Sequence, residues 1–282
     1  MTDGFAVDLG GTKTALARIA AGRIEARLQF PTDRLAGISE QIDILARHLG
    51  QMGFRRDDRL GVAVSGRVDA AGNWYAVNSE TLPQIGGEPL LGILRTSFGR
   101  NVSLMNDAAA AALAEATLGA GAGAGHFAYL TVSTGVGGGV VLDGRLLNSR
   151  NGLAGHVGFL SSPHGDACCG SGRTGTVESI ASGRAIARLA GTGDSREAFA
   201  SRSVRALAAI DRSAMAIARL CADLNAIFGL DRIAVGGSVG LAAGYLPRVS
   251  AHLDREPSLF RVPLVPATLG QNSALLGAIP GG

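Results

Sequence analysis

The chain has 282 residues, 46% of them hydrophobic and 17% charged, enough apolar material for a sizeable core, which excludes wholesale disorder. Lys and Arg number 26 against 23 Asp and Glu, and a formal charge of +3 describes neither a nucleic-acid coat nor a polybasic membrane binder. Glycine is abundant, 42 residues without a collagen period, so these residues serve loops.

Phe5–Leu9 is a short apolar run with β-branched character that ends in Gly10-Gly11-Thr12, and a second run follows at Thr14–Ile19. This reads as strand, tight glycine turn, strand. The start of the chain shows no signal-peptide pattern. Arg23–Phe30 suits a third strand, and Ile38–Met52 carries Ile42, Leu45 and Leu49 at helical spacing. Leu60–Val64 is a buried-type strand leading into Ser65-Gly66-Arg67. Val102–Met105 is another strand, and the alanine-rich stretch Ala108–Ala116 is a helix with Asn106-Asp107 at its start.

The uncharged stretch 116–142 is long enough to span a membrane, but eight glycines break it, and it reads as a loop and two strands. Phe127–Ser133 is a strand, Thr134–Gly139 a glycine turn and Val140–Leu142 a returning strand. The unit at Phe5–Ile19 is thus repeated, which implies two related halves facing each other across a cleft. Val177–Leu189 and Val204–Phe228 show helical spacing. Arg232–Val235 is a strand that ends in Gly236-Gly237-Ser238 before a helix, and Gln271–Ile279 reads as a closing helix. Gly119–Gly125 is the best linker. The expected lobes are 1–107 and 108–270, with a closing helix at about 271–282 returning to the first. Cys168, Cys169 and Cys221 form no disulfide framework and point to a reducing compartment, so a cytoplasmic protein is expected, with no nucleic-acid or membrane partner.

Three glycine turns at strand ends carry the chemistry. In Asp8-Leu9-Gly10-Gly11-Thr12-Lys13, small residues expose backbone N–H groups to phosphate oxygens, and Asp8 is placed to hold Mg²⁺. The turn is neither a Walker A loop nor a dinucleotide fingerprint. Lys13, the one lysine of the chain, either adds a cation near the phosphates or is simply exposed. Thr134–Gly139 and Gly236-Gly237-Ser238 are the other two turns, and the last, at a helix start, suits an anion or a flat ring. Each alone is equally a hairpin tip; together they imply a nucleotide. Asn106-Asp107 is either a helix cap or a carboxylate held as general base.

The segments DLGGTK (8–13), ND (106–107), STGVGGG (133–139), GLAGHVG (152–158) and CGSGRTGTVESIASG (169–183) together resemble the ROK family of sugar kinases and related repressors, in order and over nearly the whole chain. The resemblance implies an α/β, two-lobed, actin-like and hexokinase-like (ribonuclease H-like) fold with a duplicated β-sheet unit. It implies ATP-dependent phosphorylation of a sugar hydroxyl at O6, with Mg²⁺. Asp107 matches the family's catalytic base; Gly66, Arg67, Asn106 and Glu178 match sugar positions. Asp8, Gly10, Gly11, Thr12, Thr134, Gly135 and Gly237 match nucleotide and phosphate positions. GLAGHVG, PHG and VGGSVGLA are most similar to the branch that acts on N-acetylmannosamine, with glucokinase or N-acetylglucosamine kinase as the alternative. Homodimers occur in the family, so a homodimer is the expected partner state.

The family pattern is broken at its zinc motif. His156 replaces a sugar-binding Glu, and Phe159 replaces a ligand His. Cys169 keeps one thiolate, whereas Ser171 and Thr176 stand at the other two positions. A structural zinc needs about four good ligands, so none is expected. A makeshift site from His164, Cys168 and Cys169 is the one alternative. A repressor would need a DNA-binding domain ahead of Asp8, for which seven residues leave no room. A sugar-binding protein without activity is the remaining different-class reading.

Overall fold

The computed structural model describes residues 3–77, 85–165 and 167–279. Its contacts divide the chain into two units. The first comprises Met1–Ala114, Asn148–Ala154 and Asn272–Gly282, and the second Glu115–Leu147 and Gly155–Gln271. The boundary lies inside a helix, after Ala114 and not at 107, and the segments 148–154 and 272–282 belong to the first unit.

In the first unit, strands β1 (Gly4–Leu9), β2 (Lys13–Ala20) and β3 (Arg23–Pro31) precede helix α1 (Ile38–Gln51) and strand β4 (Leu60–Val64). Then come β5 (Arg67–Val68), β6 (Trp74–Tyr75), β7 (Gly86–Glu88), α2 (Leu90–Phe98), β8 (Val102–Asn106) and α3 (Asp107–Leu118). The main sheet has the order β3-β2-β1-β4-β8, antiparallel through β1 and parallel beyond it. Strand alternation gives this sheet two unlike faces. Phe5, Val7 and Leu9 pack with Ile42, Leu45 and Leu49 of α1 and with Leu90, Leu94 and Phe98 of α2. The opposite face is made of Ala6, Ala15, Ala17 and Ala63, which pack on Ala110, Leu275 and Ala278. Only small side chains permit that approach. A Cβ on Gly61 would strike the backbone of Ala278, and one on Gly277 the carbonyl of Ala110.

The second unit repeats the plan. It contains β9 (His126–Val132), β10 (Val136–Leu142), β11 (Arg145–Leu146), α4 (Val177–Ala181), α5 (Gly183–Ala190), α6 (Ser195–Ala200), α7 (Val204–Phe228), β12 (Arg232–Gly236), α8 (Gly237–Gly240), α9 (Tyr245–Leu253) and β13 (Leu264–Pro266). Its sheet order, β11-β10-β9-β12-β13, has the same antiparallel-then-parallel sequence as the first. The long helix α7 is the spine of the core. Ser203 Oγ accepts the Ala206 N–H at its start, and Gly229, left-handed at φ 58°, stops it. No helix among the described residues is long and apolar enough to cross a membrane.

Three local expectations change. The glycine turn expected over 134–139 shrinks, because Val136–Gly139 already belong to β10, paired with Val132 to Tyr129. The helix expected over Val177–Leu189 is two helices, broken at Ser182, whose hydroxyl accepts the Ala185 N–H and starts α5. The helix after Gly236-Gly237-Ser238 is a single turn of four residues. The closing helix spans Ser273–Ala278, and its expected continuation beyond residue 279 lies outside the described residues.

Candidate active site

In both units the glycine turns, and in the first unit also the Asn-Asp pair, lie at the carboxyl ends of neighbouring parallel strands, where open α/β sheets bind their ligands, whereas His156 and Glu178 come from a loop and from α4. In the first unit Leu9 pairs with Val64 and Val64 with Asn106, so the loops that carry Gly10-Gly11, Gly66 and Asp107 emerge side by side. Asp8 points to the same face as Ala6, the face that α3 covers, and Asp107 is the first residue of α3. The two carboxylates therefore feel each other. Burial, then repulsion from Asp107, raises the Asp8 pKa to about 7, opposed by Arg27 and Lys13. Asp107 is raised to about 6 by desolvation, opposed by the Ala108 N–H and the Asn106 amide.

Asn106 orients this carboxylate with both ends of its side chain. Its Nδ2 donates to Asp107 Oδ1 at 2.9 Å and to the Gly66 carbonyl at 2.7 Å, and its Oδ1 accepts the Ala109 N–H at 3.0 Å. Ala108 N–H donates to the same Asp107 oxygen at 2.7 Å. The Asn-Asp pair thus forms one network: Asn106 caps the helix while aiming the Asp107 carboxylate. Gly66 is needed for it. Its φ is +105°, and a Cβ would strike the Tyr75 carbonyl. The Arg67 guanidinium lies over the Tyr75 ring, 3.8 Å from its centroid, and donates to the Asn151 carbonyl.

The 10–13 turn is less open than its glycines imply. Gly10 N–H is taken by the Lys13 carbonyl at 3.1 Å, so it is not a free phosphate donor, and Gly11 is buried. Thr12 and Lys13 are the exposed members. Thr32 holds the turn from outside. Its hydroxyl donates to the Gly10 carbonyl at 2.8 Å and meets the buried Thr14 hydroxyl at 2.7 Å. Its N–H donates to the Thr12 carbonyl. Sequence reasoning missed Thr14 and Thr32; a Thr 20 residues away carries no local signal.

In the second unit Thr131 pairs with Gly236, so Thr134-Gly135 and Gly237-Ser238 leave adjacent strand ends. Ser133 and Ser238 hydroxyls meet at 3.0 Å. Gly237 has φ +84°, and a Cβ would strike the Val132 carbonyl. Glu178, in the first turn of α4, accepts the Val136 N–H at 3.0 Å; burial raises its pKa, opposed by the backbone N–H groups of Val136 and Gly170. A Cβ on Gly135 would sit 2.6 Å from Glu178 Oε2, so this glycine makes room for the carboxylate. His156 stacks on Phe159, ring centroids 5.8 Å apart at 9°.

The zinc-motif positions carry other bonds. Thr176 caps α4 by accepting the Ser179 N–H, Cys169 Sγ meets Ser171 Oγ at 3.0 Å, and His164 Nε2 contacts Arg219. Among the described residues no three His, Cys, Asp or Glu side chains are grouped to hold a metal ion. The motif positions keep one thiol, and Cys168, Cys169 and His164 are not grouped as a ligand set, so the donors present do not fit a structural zinc. Asp8 does fit a divalent cation: it is a half-buried carboxylate beside a second one, and it lacks a hydrogen-bonded cationic partner among the described residues.

Two copies of one mixed sheet, each with its helices and a glycine-lined set of strand ends, define an actin-like α/β protein. The ROK family profile matches residues 4–280, and the chain belongs to that family. An N-acetylmannosamine kinase of Pasteurella multocida is 39% identical over 97% of this chain and 94% of its own. One of Vibrio cholerae is 38% identical, covering 97% of both. The crystal structure of a ROK hexokinase from Thermus thermophilus is 34% identical with a TM-score of 0.86, covering 99% and 97%. A Streptomyces griseus ROK glucokinase solved with glucose and AMPPNP shares the fold at a TM-score of 0.83 and 24% identity, covering 99% and 98%.

Proposed function

We propose that this ROK-family sugar kinase transfers the γ-phosphoryl group of ATP to O6 of N-acetylmannosamine, with Asp107 as general base. The observation that carries the reading is Asp107 itself: a carboxylate at a parallel strand end, aimed by Asn106, with its pKa raised to about 6. A base in that range is still ionised at neutral pH yet accepts a proton readily. It takes the hydroxyl proton as the sugar oxygen attacks phosphorus, while the leaving ADP keeps the bond electrons. Asp8 would hold the Mg²⁺ of MgATP, which supplies charge neutralisation at the phosphates. Thr12, Lys13, Thr134, Gly135 and Gly237 serve the nucleotide; Gly66, Arg67, Asn106, His156 and Glu178 serve the sugar. The protein works without a structural zinc.

The choice of sugar rests on His156. Glutamate only accepts hydrogen bonds, whereas a neutral imidazole donates one and accepts one, which suits an acetamide or an axial hydroxyl. The names of relatives at 38–39% identity support the same substrate. The test is ADP release over hexoses and N-acetylhexosamines, for the wild type and His156→Glu. N-acetylmannosamine should rank first, and the substitution should erode that rank. A wild type that prefers glucose or N-acetylglucosamine refutes the substrate.

A further inference from the structure

The segment between His156 and Glu178 has no core of its own. Among the described residues, nothing from Ser161 to Gly175 is buried. It is nonetheless placed to matter, because the Gly170 backbone N–H favours the charged form of Glu178. Its order comes from guanidinium groups. Arg212 Nη2 donates to the His164 carbonyl at 2.7 Å, and Arg219 Nη1 contacts His164 Nε2. These arginines stand seven residues apart on α7, two turns along one face of the core helix. Arg173 closes the other end: its Nη1 donates to the Phe159 carbonyl at 2.8 Å and its Nη2 to Ser161 Oγ at 3.4 Å. Backbone pairs Ser162 to Gly175 and Cys169 to Arg173 complete the clasp.

We infer that these arginines form a metal-free clamp: Arg212 and Arg219 tie the loop to α7 through His164, Arg173 closes it on Phe159 and Ser161, and together they hold Gly170 near Glu178. They are positioning residues, and this rests on the reading of Glu178 as a sugar contact. Fixed guanidinium forks suit the task, since a carbonyl and an imidazole nitrogen give them defined acceptors on a segment that burial does not order.

The test uses the full chain with Arg212→Ala/Arg219→Ala, Arg173→Ala, His164→Ala, His164→Gln and Glu178→Gln. Amide hydrogen exchange over 161–175 and labelling of Cys169 by a disulfide reagent report the clamp without any substrate. Both should quicken about tenfold in the arginine variants and in His164→Ala, as for loss of one or two net hydrogen bonds. His164→Gln, which keeps an acceptor, should restore most of the protection. Sugar KM should rise about tenfold while ATP KM and kcat stay within twofold. Unchanged exchange in the double variant overturns the clamp. Sugar KM unchanged in the clamp variants but raised in Glu178→Gln overturns their positioning role. Stoichiometric zinc whose removal loosens the loop also overturns it. If Glu178→Gln itself leaves sugar KM untouched, the sugar-contact reading fails, and exchange still decides the clamp.

Discussion

Replacing Asp107 by Asn separates the two properties of this carboxylate, its use as a base and its cost to the fold. The ordinary carboxyl ionises at 3.8 and Asp107 at about 6, raised by desolvation. The unfolded chain therefore releases this proton about two pH units earlier than the folded one. The sign follows: below pH 4 both states hold the proton and there is no penalty; between 4 and 6 the penalty grows; above 6 it is complete. Two units correspond to roughly 3 kcal/mol as an upper bound, and the partial exposure of Asp107 reduces this to about 1–2 kcal/mol. Asn keeps an oxygen for the Ala108 N–H and Asn106 Nδ2, so the network survives the change. Asp107→Asn should raise Tm by a few °C at pH 8 and leave it unchanged near pH 4. Turnover should fall about 10²–10⁴-fold. Thermal melts at both pH values and a coupled ADP assay measure the two effects. A Tm difference independent of pH refutes the desolvation argument; kcat within tenfold of wild type refutes the base.

In the wild type, kcat/KM should fall as pH drops through about 6, as Asp107 takes up its proton, with Asp8 adding to the loss from about 7; a profile flat to pH 5 contradicts this. Gly66→Ala forces a side chain into φ +105° and against Tyr75, and should cost at least about 1–3 kcal/mol in a urea melt while slackening the Asn106 contact. Glu115, wholly buried, accepts from Ala120, Thr268 and Leu269, so Glu115→Ala leaves several donors unpaired and should destabilise by about 3–5 kcal/mol, with midpoint as the readout. Gly135→Ala should raise sugar KM with little change in Tm, because the new Cβ meets the Glu178 carboxylate rather than the core; equal losses in stability and KM would argue against that.

The local pattern of the chain determined the elements whose neighbours in sequence are also their neighbours in space. The helix Val204–Phe228 was legible to the residue from its apolar spacing, and the existence of the two strand–turn–strand repeats was legible too, though not their bounds, because hydrophobic period and glycine turns act over a few residues. The acidic strand end, the Asn-Asp pair and the glycine turns likewise marked the site residues as types. What they do to one another was decided only by the tertiary structure. Alternation alone put Asp8 and Ala6 on one face, but the packing of α3 on that alanine face set Asp107 beside it and raised both carboxylates. Val136–Gly139 read as a turn by composition, and pairing with β9 made them strand. Thr32 under the Gly10 carbonyl, Tyr75 under Arg67, and Arg212 and Arg219 on His164 join residues 8 to 55 positions apart. No short-range preference encodes such pairs. They exist because burial within each unit brings distant segments together, and polar groups brought there bond to whatever partner stands opposite.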